Sequence, residues 1–236
     1  MSTRVLVISA VVVALGTAAI YVVGRYRPAG VRAARVFAWM RAPDPASSMV
    51  VHMGTRCGDA PFVFPTTGVV GFIWGDSFRL GHRHQGMDIF AGTDVDVTPV
   101  MAAYAGFLTR LPDWKSTVIV RVPDDPVHPG RQIWVYYTHM ADPTGNSFIS
   151  EAFPPGTYEK PVEAGTVLGR QGDYSGDPNN PVGVHLHVSI VRDDGGSFMN
   201  ELDINNTYDP SPYFGLPLNA SANRNRIPVC ETGSTP

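Results

Sequence analysis

The chain has 236 residues, enough for one domain with a real core plus extensions. Charged residues make up only 17% and the formal net charge is -3, which argues against a nucleic-acid partner, since that would need a basic face. Glycine (24) and proline (21) are well above their combined average share of roughly 12%, so many turns between short strands are expected rather than long helices.

Residues 5–23 (VLVISAVVVALGTAAIYVV) carry no charge. As a helix rising about 1.5 Å per residue, this run would span about 28 Å, close to a hydrocarbon core of roughly 30 Å. It reads as one N-terminal transmembrane helix. The competing readings are a signal sequence cleaved after Gly16-Thr17-Ala18 and, third, a buried helix. The division expected is residues 1–24 as anchor or signal, 25–61 as a juxtamembrane spacer, 62–218 as the main domain and 219–236 as a polar tail.

Two features conflict over orientation. Arg25, Arg27, Arg32 and Arg35 follow the apolar run while only Arg4 precedes it, and the positive-inside rule would then hold the domain in the cytoplasm. Against this, the two cysteines, Cys57 and Cys230, lie at the two edges of the main domain. A disulfide between them would close a very long loop, worth up to about 5 kcal/mol in the chain-entropy model, and would need an oxidising compartment. Free buried thiols are the alternative. An extracytoplasmic domain on a single-pass cell-membrane anchor is expected, or a secreted one if a signal is cleaved.

A short helix is expected around residues 31–40 of the spacer. Strand candidates begin with 62–65 and 68–72, continue with 88–91 and 97–103, and then run through 105–108, 116–122 and 132–139. Val118, Val120 and Val122 alternate, as do Ile133, Val135 and Tyr137, which gives each of these strands one core face. The link 124–131 reads as a hairpin loop. Residues 141–160 form a long polar loop, a kind that is usually functional or disordered in a compact domain. A second, glycine-rich loop, 172–183, precedes the last strand. Short strands at close spacing predict a mainly β fold, a compact antiparallel β-sheet domain.

That last strand holds His185-Leu186-His187 within an alternating, β-branched run. Side chains at i and i+2 leave a strand on the same face, so one imidazole can hold a metal while its neighbour handles a proton. Upstream stands His84-Gln85-Gly86-Met87-Asp88, and between the two lies His139 in Tyr136-Tyr137-Thr138-His139-Met140. A histidine and a carboxylate from one strand, with a histidine from another, make three nitrogen or oxygen ligands, a usual number for catalytic zinc. With two cysteines in all, a four-sulfur structural site is ruled out. His82 could compete with His84, but only His84 has a glycine at i+2 and a carboxylate at i+4. His52 and His128 read as surface residues, and Asp94 and Asp96 as turn residues.

The motifs His84-x-Gly86-x-Asp88, Tyr137-x-His139 and His185-Leu186-His187, in that order, resemble the M23 (LytM/lysostaphin-type) zinc metallopeptidases. Gly92-Thr93, the run 99–102, Gly106 and Gly165-x-x-x-Gly169-x-x-Gly172 add to the resemblance, which covers about residues 62–190. It implies a zinc groove with His84, Asp88 and His187 as metal ligands, His185 as general base, and His139 stabilising the oxyanion. It also implies peptidoglycan stem or cross-bridge peptides as substrate. Val188 stands where the family often has an aromatic residue, and loops 141–160 and 172–183 are expected to wall the groove. The rival readings are a non-catalytic cell-wall binding or hydrolase-activating module, and a zinc peptidase acting on glycine-rich protein. No sequence feature specifies an oligomer.

Overall fold

The computed structural model describes residues 30–77 and 81–230. The apolar run 5–23 lies outside them, and no helix among the described residues is long and apolar enough to cross a membrane. Helix α1 (Gly30–Arg41) is followed by β1 (Val50–Val51), β2 (Gly68–Val70), β3 (Met87–Phe90), β4 (Pro99–Met101), β5 (Gly106–Thr109) and β6 (Val118–Val122). Then come β7 (Ile133–Thr138), β8 (Lys160–Val162), β9 (Val167–Arg170), β10 (Leu186–Asp194), β11 (Ser197–Phe198), β12 (Thr207–Tyr208) and the single turn α2 (Ser211–Phe214). The main sheet runs β1-β2-β3-β10-β7-β6-β5-β8, with β11 and β12 also paired to β10, while β4 and β9 form a separate ribbon. Every pairing between these strands is antiparallel, as expected for short strands joined by turns.

Alternation sorts each strand onto two faces. Met87 and Ile89 of β3, Leu186, Val188 and Ile190 of β10, Ile133, Val135 and Tyr137 of β7, and Val118, Val120 and Val122 of β6 share one buried core. Phe62, Phe64, Phe214 and Leu168 close that core from the other side. Val188, at the position where the resembled family often has an aromatic residue, is buried in this core. The Tyr137 hydroxyl, deep in the same core, accepts the Ala103 N–H at 2.9 Å.

The opposite face of the sheet carries the polar set: Asp88, His187, Ser189, Tyr136, Thr138 and Thr117. Two small apolar clusters flank it. At one end Val36 and Trp39 of α1 pack with Val69, Phe90 and Ile227. At the other, Ile119, Trp134 and Val191 pack together. Within the span read as a spacer, then, α1 is docked on the sheet and β1 is its edge strand. The disulfide joins Cys57 to Cys230, 173 positions apart in sequence, with Cα atoms 5.3 Å apart, which ties the C-terminal segment over this same end.

Loop 141–160 departs from its expected role as a groove wall. Bridges pair Ala141 with Ser147 and Ile149 with Gly169, and Ile149 and Phe153 are buried in the main core. Arg110 fixes the loop by donating to the Phe153 carbonyl at 2.9 Å. The loop spends its apolar residues on packing behind the sheet, and none of its residues lines the groove.

Candidate metal centre

Strand register brings the motifs together. Asp88 of β3 is paired directly with His187 of β10, and His187 in turn with Thr138 of β7, so all three stand side by side on the polar face. His84 precedes β3 and crosses close to β10 at Gly86, where a Cβ would lie 2.0 Å from the Val188 carbonyl oxygen. Only glycine permits that approach, which is the physical reason for the central residue of the first motif.

His139 reaches the groove differently. By alternation it belongs on the Tyr137 face, inside the core, yet its φ of 75° swings it round to the groove. A non-glycine residue in this left-handed region is strained and persists only where its surroundings fix it. Here the Nδ1–H donates to the Tyr174 carbonyl at 2.7 Å.

Three ligand-type atoms converge: His84 Nε2 lies 3.0 Å from Asp88 Oδ1 and 3.0 Å from His187 Nδ1, and His187 Nδ1 lies 2.8 Å from Asp88 Oδ1. The far side of each ring settles its tautomer. His84 Nδ1 faces the Ile73 carbonyl at 3.1 Å, which can only accept, so Nδ1 carries the hydrogen and Nε2 a lone pair. His187 Nε2 faces the Glu201 carboxylate at 2.9 Å, and Ser189 Oγ donates to the same oxygen at 2.7 Å, so Nε2 is the protonated nitrogen and Nδ1 faces inward. Two imidazole nitrogens and a carboxylate oxygen aimed at one another call for positive charge between them, whether a proton or a bound cation. His84, Asp88 and His187 form the one such group of potential metal ligands among the described residues, all three buried.

Electrostatics point the same way. Burial alone would raise Asp88, but the imidazoles of His84, His185 and His187 hold it well below the usual carboxylate range. Burial opposes charge on His187, but the Glu201 and Asp88 carboxylates outweigh it and push the imidazole up to about 10. Glu201 is also lowered, since its contacts to His187 and Ser189 outweigh burial. The centre therefore attracts a cation, and the donor set of two imidazoles and a carboxylate fits zinc.

His185 and His139 stand beside it with their rings 4.5 Å apart. Burial lowers His185, and burial with two neighbouring imidazoles pushes His139 down to about 3, so both are neutral. The Nδ1–H of His185 donates to the Gly183 carbonyl at 2.9 Å, leaving Nε2 3.6 Å from Asp88 Oδ1. Phe90 stacks on the His185 ring at 4.9 Å between centroids and fixes its plane. Neutral, oriented imidazoles of this kind can accept protons.

The groove over the centre has a volume of about 630 Å³. Tyr174, Ser175, Asn180 and Val182 of loop 172–183 wall one side, as expected of that loop, and Phe72, Gln85 and Leu202 contribute to the lining. His82 lines the groove without joining the ligand group, whereas His52 and His128 are exposed elsewhere. Asp96 adopts a φ of 62° and pairs with Arg170 at 3.2 Å on the surface, a turn role. Sequence reasoning missed Glu201. It lies 14 residues from His187 across an irregular loop, so no period marks it. Ser189 was within reach, two residues from His187 on the same strand face.

No protein-family model and no curated protein matches the chain. Among solved structures it is similar to lysostaphin from Staphylococcus simulans, at 18% identity, over 70% of this chain and 52% of that one, with a TM-score of 0.41. It is also similar to Helicobacter pylori Csd3 (16% identity, 65% and 34% of the two chains, TM-score 0.39). A Pseudomonas aeruginosa structure provisionally described as a peptidase M23 matches at 21% identity over 78% and 61%, with a TM-score of 0.39. The matches span less than two thirds of each of those proteins.

Proposed function

We propose that this protein is a zinc-dependent endopeptidase that hydrolyses peptide bonds in peptidoglycan stem or cross-bridge peptides. The observation that carries the reading is the convergence of His84 Nε2, Asp88 Oδ1 and His187 Nδ1 beneath a groove, with neutral His185 and His139 alongside. His84, Asp88 and His187 would hold zinc, whose chemistry there is to polarise the scissile carbonyl and make the attacking water more acidic.

The remaining steps belong to side chains. His185 Nε2 takes the proton from the attacking water, its tautomer fixed by the Gly183 carbonyl. His139 shares that tautomer, because its only N–H is given to Tyr174, so in its neutral form Nε2 accepts and does not donate. To hydrogen-bond an oxyanion it would need a second proton, and the one proton leaving the attacking water goes to His185. His139 is therefore proposed as a second proton acceptor beside His185, in place of the oxyanion role that the family resemblance implies.

The described residues lining the groove include no lysine or arginine. Binding of a substrate's terminal carboxylate would call for a cation, so this lining favours cleavage away from the carboxyl end of a chain. The disulfide supports an extracytoplasmic site of action, and residues 5–23 are proposed to anchor the chain in the cell membrane. The test is digestion of purified peptidoglycan beside a panel of glycine-rich polypeptides, before and after chelation and zinc restoration. Zinc-dependent release of peptidoglycan peptides supports the reading. Cleavage of the polypeptides alone would move the substrate to protein, and zinc binding without cleavage would make the domain a binding module.

A further inference from the structure

We propose that Arg32, on helix α1 and outside all three motifs, is a positioning residue for the metal centre. The proposal rests on the reading of His84, Asp88 and His187 as ligands. Arg32 is fully buried, which for a guanidinium demands partners at every edge. It has them: Nε donates to the Gly71 carbonyl at 2.9 Å, Nη1 to the Asn223 carbonyl at 2.6 Å, and Nη2 to Asp76 Oδ1 at 2.5 Å. Gly71 and Asp76 are the two ends of a single segment, 71–76, and the guanidinium clamps both.

That segment carries the first motif. Asp76 Oδ2 accepts the Ile73 N–H at 2.8 Å and so closes the turn 73–76. The turn holds His84 at three points. The Asp76 carbonyl accepts its N–H at 2.7 Å, Gly75 donates to its carbonyl at 2.8 Å, and the Ile73 carbonyl accepts from its Nδ1 at 3.1 Å. At the other end, Gly71 donates to the Asp88 carbonyl at 2.9 Å and Asp88 donates to the Phe72 carbonyl at 2.8 Å. Two of the three ligands therefore hang on a segment whose ends are fixed by one arginine from α1.

A lysine can neutralise Asp76 but lacks the planar fork that reaches Gly71 and Asn223 as well. A methionine leaves Asp76 buried and unpaired. In either case the turn relaxes, and a metal site needs its ligands placed to within about 0.5 Å. Loss of a partner behind a ligand typically weakens metal binding about 10–100-fold.

The test measures zinc affinity by chelator competition, together with the melting temperature of the zinc-free protein, on the full chain. The variants are R32M, R32K and, as a control, L108A in the core of β5 away from the groove. The expected result is that R32M weakens zinc binding about 10–100-fold and R32K by less, while L108A lowers the melting temperature and leaves zinc affinity unchanged. A folded R32M with wild-type zinc affinity overturns the proposal, as does an equal loss of affinity in L108A. If R32M does not fold, R32K decides by the same criterion. Wild-type protein that binds no zinc would sink the ligand reading and this proposal with it. Wild-type protein that binds zinc but cleaves no peptidoglycan would overturn the proposed activity alone.

Discussion

Glu201 offers the sharpest single perturbation of the centre. Its buried Oε1 receives the His187 Nε2–H at 2.9 Å and the Ser189 hydroxyl at 2.7 Å, so it fixes which nitrogen of His187 faces inward and adds negative charge behind it. In E201Q the amide oxygen can still accept from His187, which preserves the tautomer, but the charge is gone. A hydrogen bond assisted by charge is about twice as strong as a neutral one. In E201A both the charge and the acceptor are lost, and the ring is oriented by Ser189 alone. Zinc affinity should fall about tenfold in E201Q and about a hundredfold in E201A, at the two ends of the range found for such partners. These losses correspond to about 1.4 and about 2.7 kcal/mol. Competition against a chelator of known affinity measures both. Wild-type affinity in the two variants, or a smaller loss in E201A than in E201Q, would refute the assignment.

Three further outcomes are expected. The double variant C57S/C230S opens a link between residues 173 apart and releases Ile227 and Val229 from the α1 cluster. The loss is at most about 5 kcal/mol, or about 10–20 °C in a thermal melt at 2–4 °C per kcal/mol, and an unchanged melt would contradict it. Asp125 accepts from Arg131, Tyr213 and two backbone N–H groups; burial alone would raise it, but these bonds hold it below the usual carboxylate range. Its stabilisation is therefore present above the unfolded value of about 3.9 and is lost as pH falls through the folded value. The stability gap between wild type and D125N should narrow on acidification, and a gap that stays constant to low pH would count against it. H139A should retain zinc and lose about 10²–10⁴-fold in peptide release, the usual size of a proton-transfer contribution; a variant that kept full activity would exclude the role.

Much of the sheet is visible in alternation alone. The valines of β6 and the Ile133, Val135 and Tyr137 set of β7 point where a period of two places them. The His185/His187 pair shares a face for the same reason, and loop 172–183 walls the groove. What alternation cannot show is any contact made through an irregular backbone. His139 enters the groove only by its left-handed φ, which no periodic rule anticipates. The carbonyls of Tyr174 and Gly183 that fix two tautomers are set by loop geometry, and Glu201 arrives from a loop without a pattern. Arg32 reads in sequence as one of several basic residues beside an apolar run. Its burial depends on acceptors contributed by residues 71, 76 and 223, far apart in the chain. Loop 141–160 looks polar and open, but Ile149 and Phe153 are enough to draw it behind the sheet.

The most direct test compares the full-length wild type with H185A, measuring zinc per chain by elemental analysis and peptide release from purified peptidoglycan on the same samples. The expected result is about one zinc in both, because His185 is not among the three converging ligands, with peptides released only by the wild type. Loss of zinc in H185A would make His185 a ligand, and release by H185A at the wild-type rate would remove it from the chemistry. Either result would contradict the division of the four histidines into metal ligands and proton acceptors.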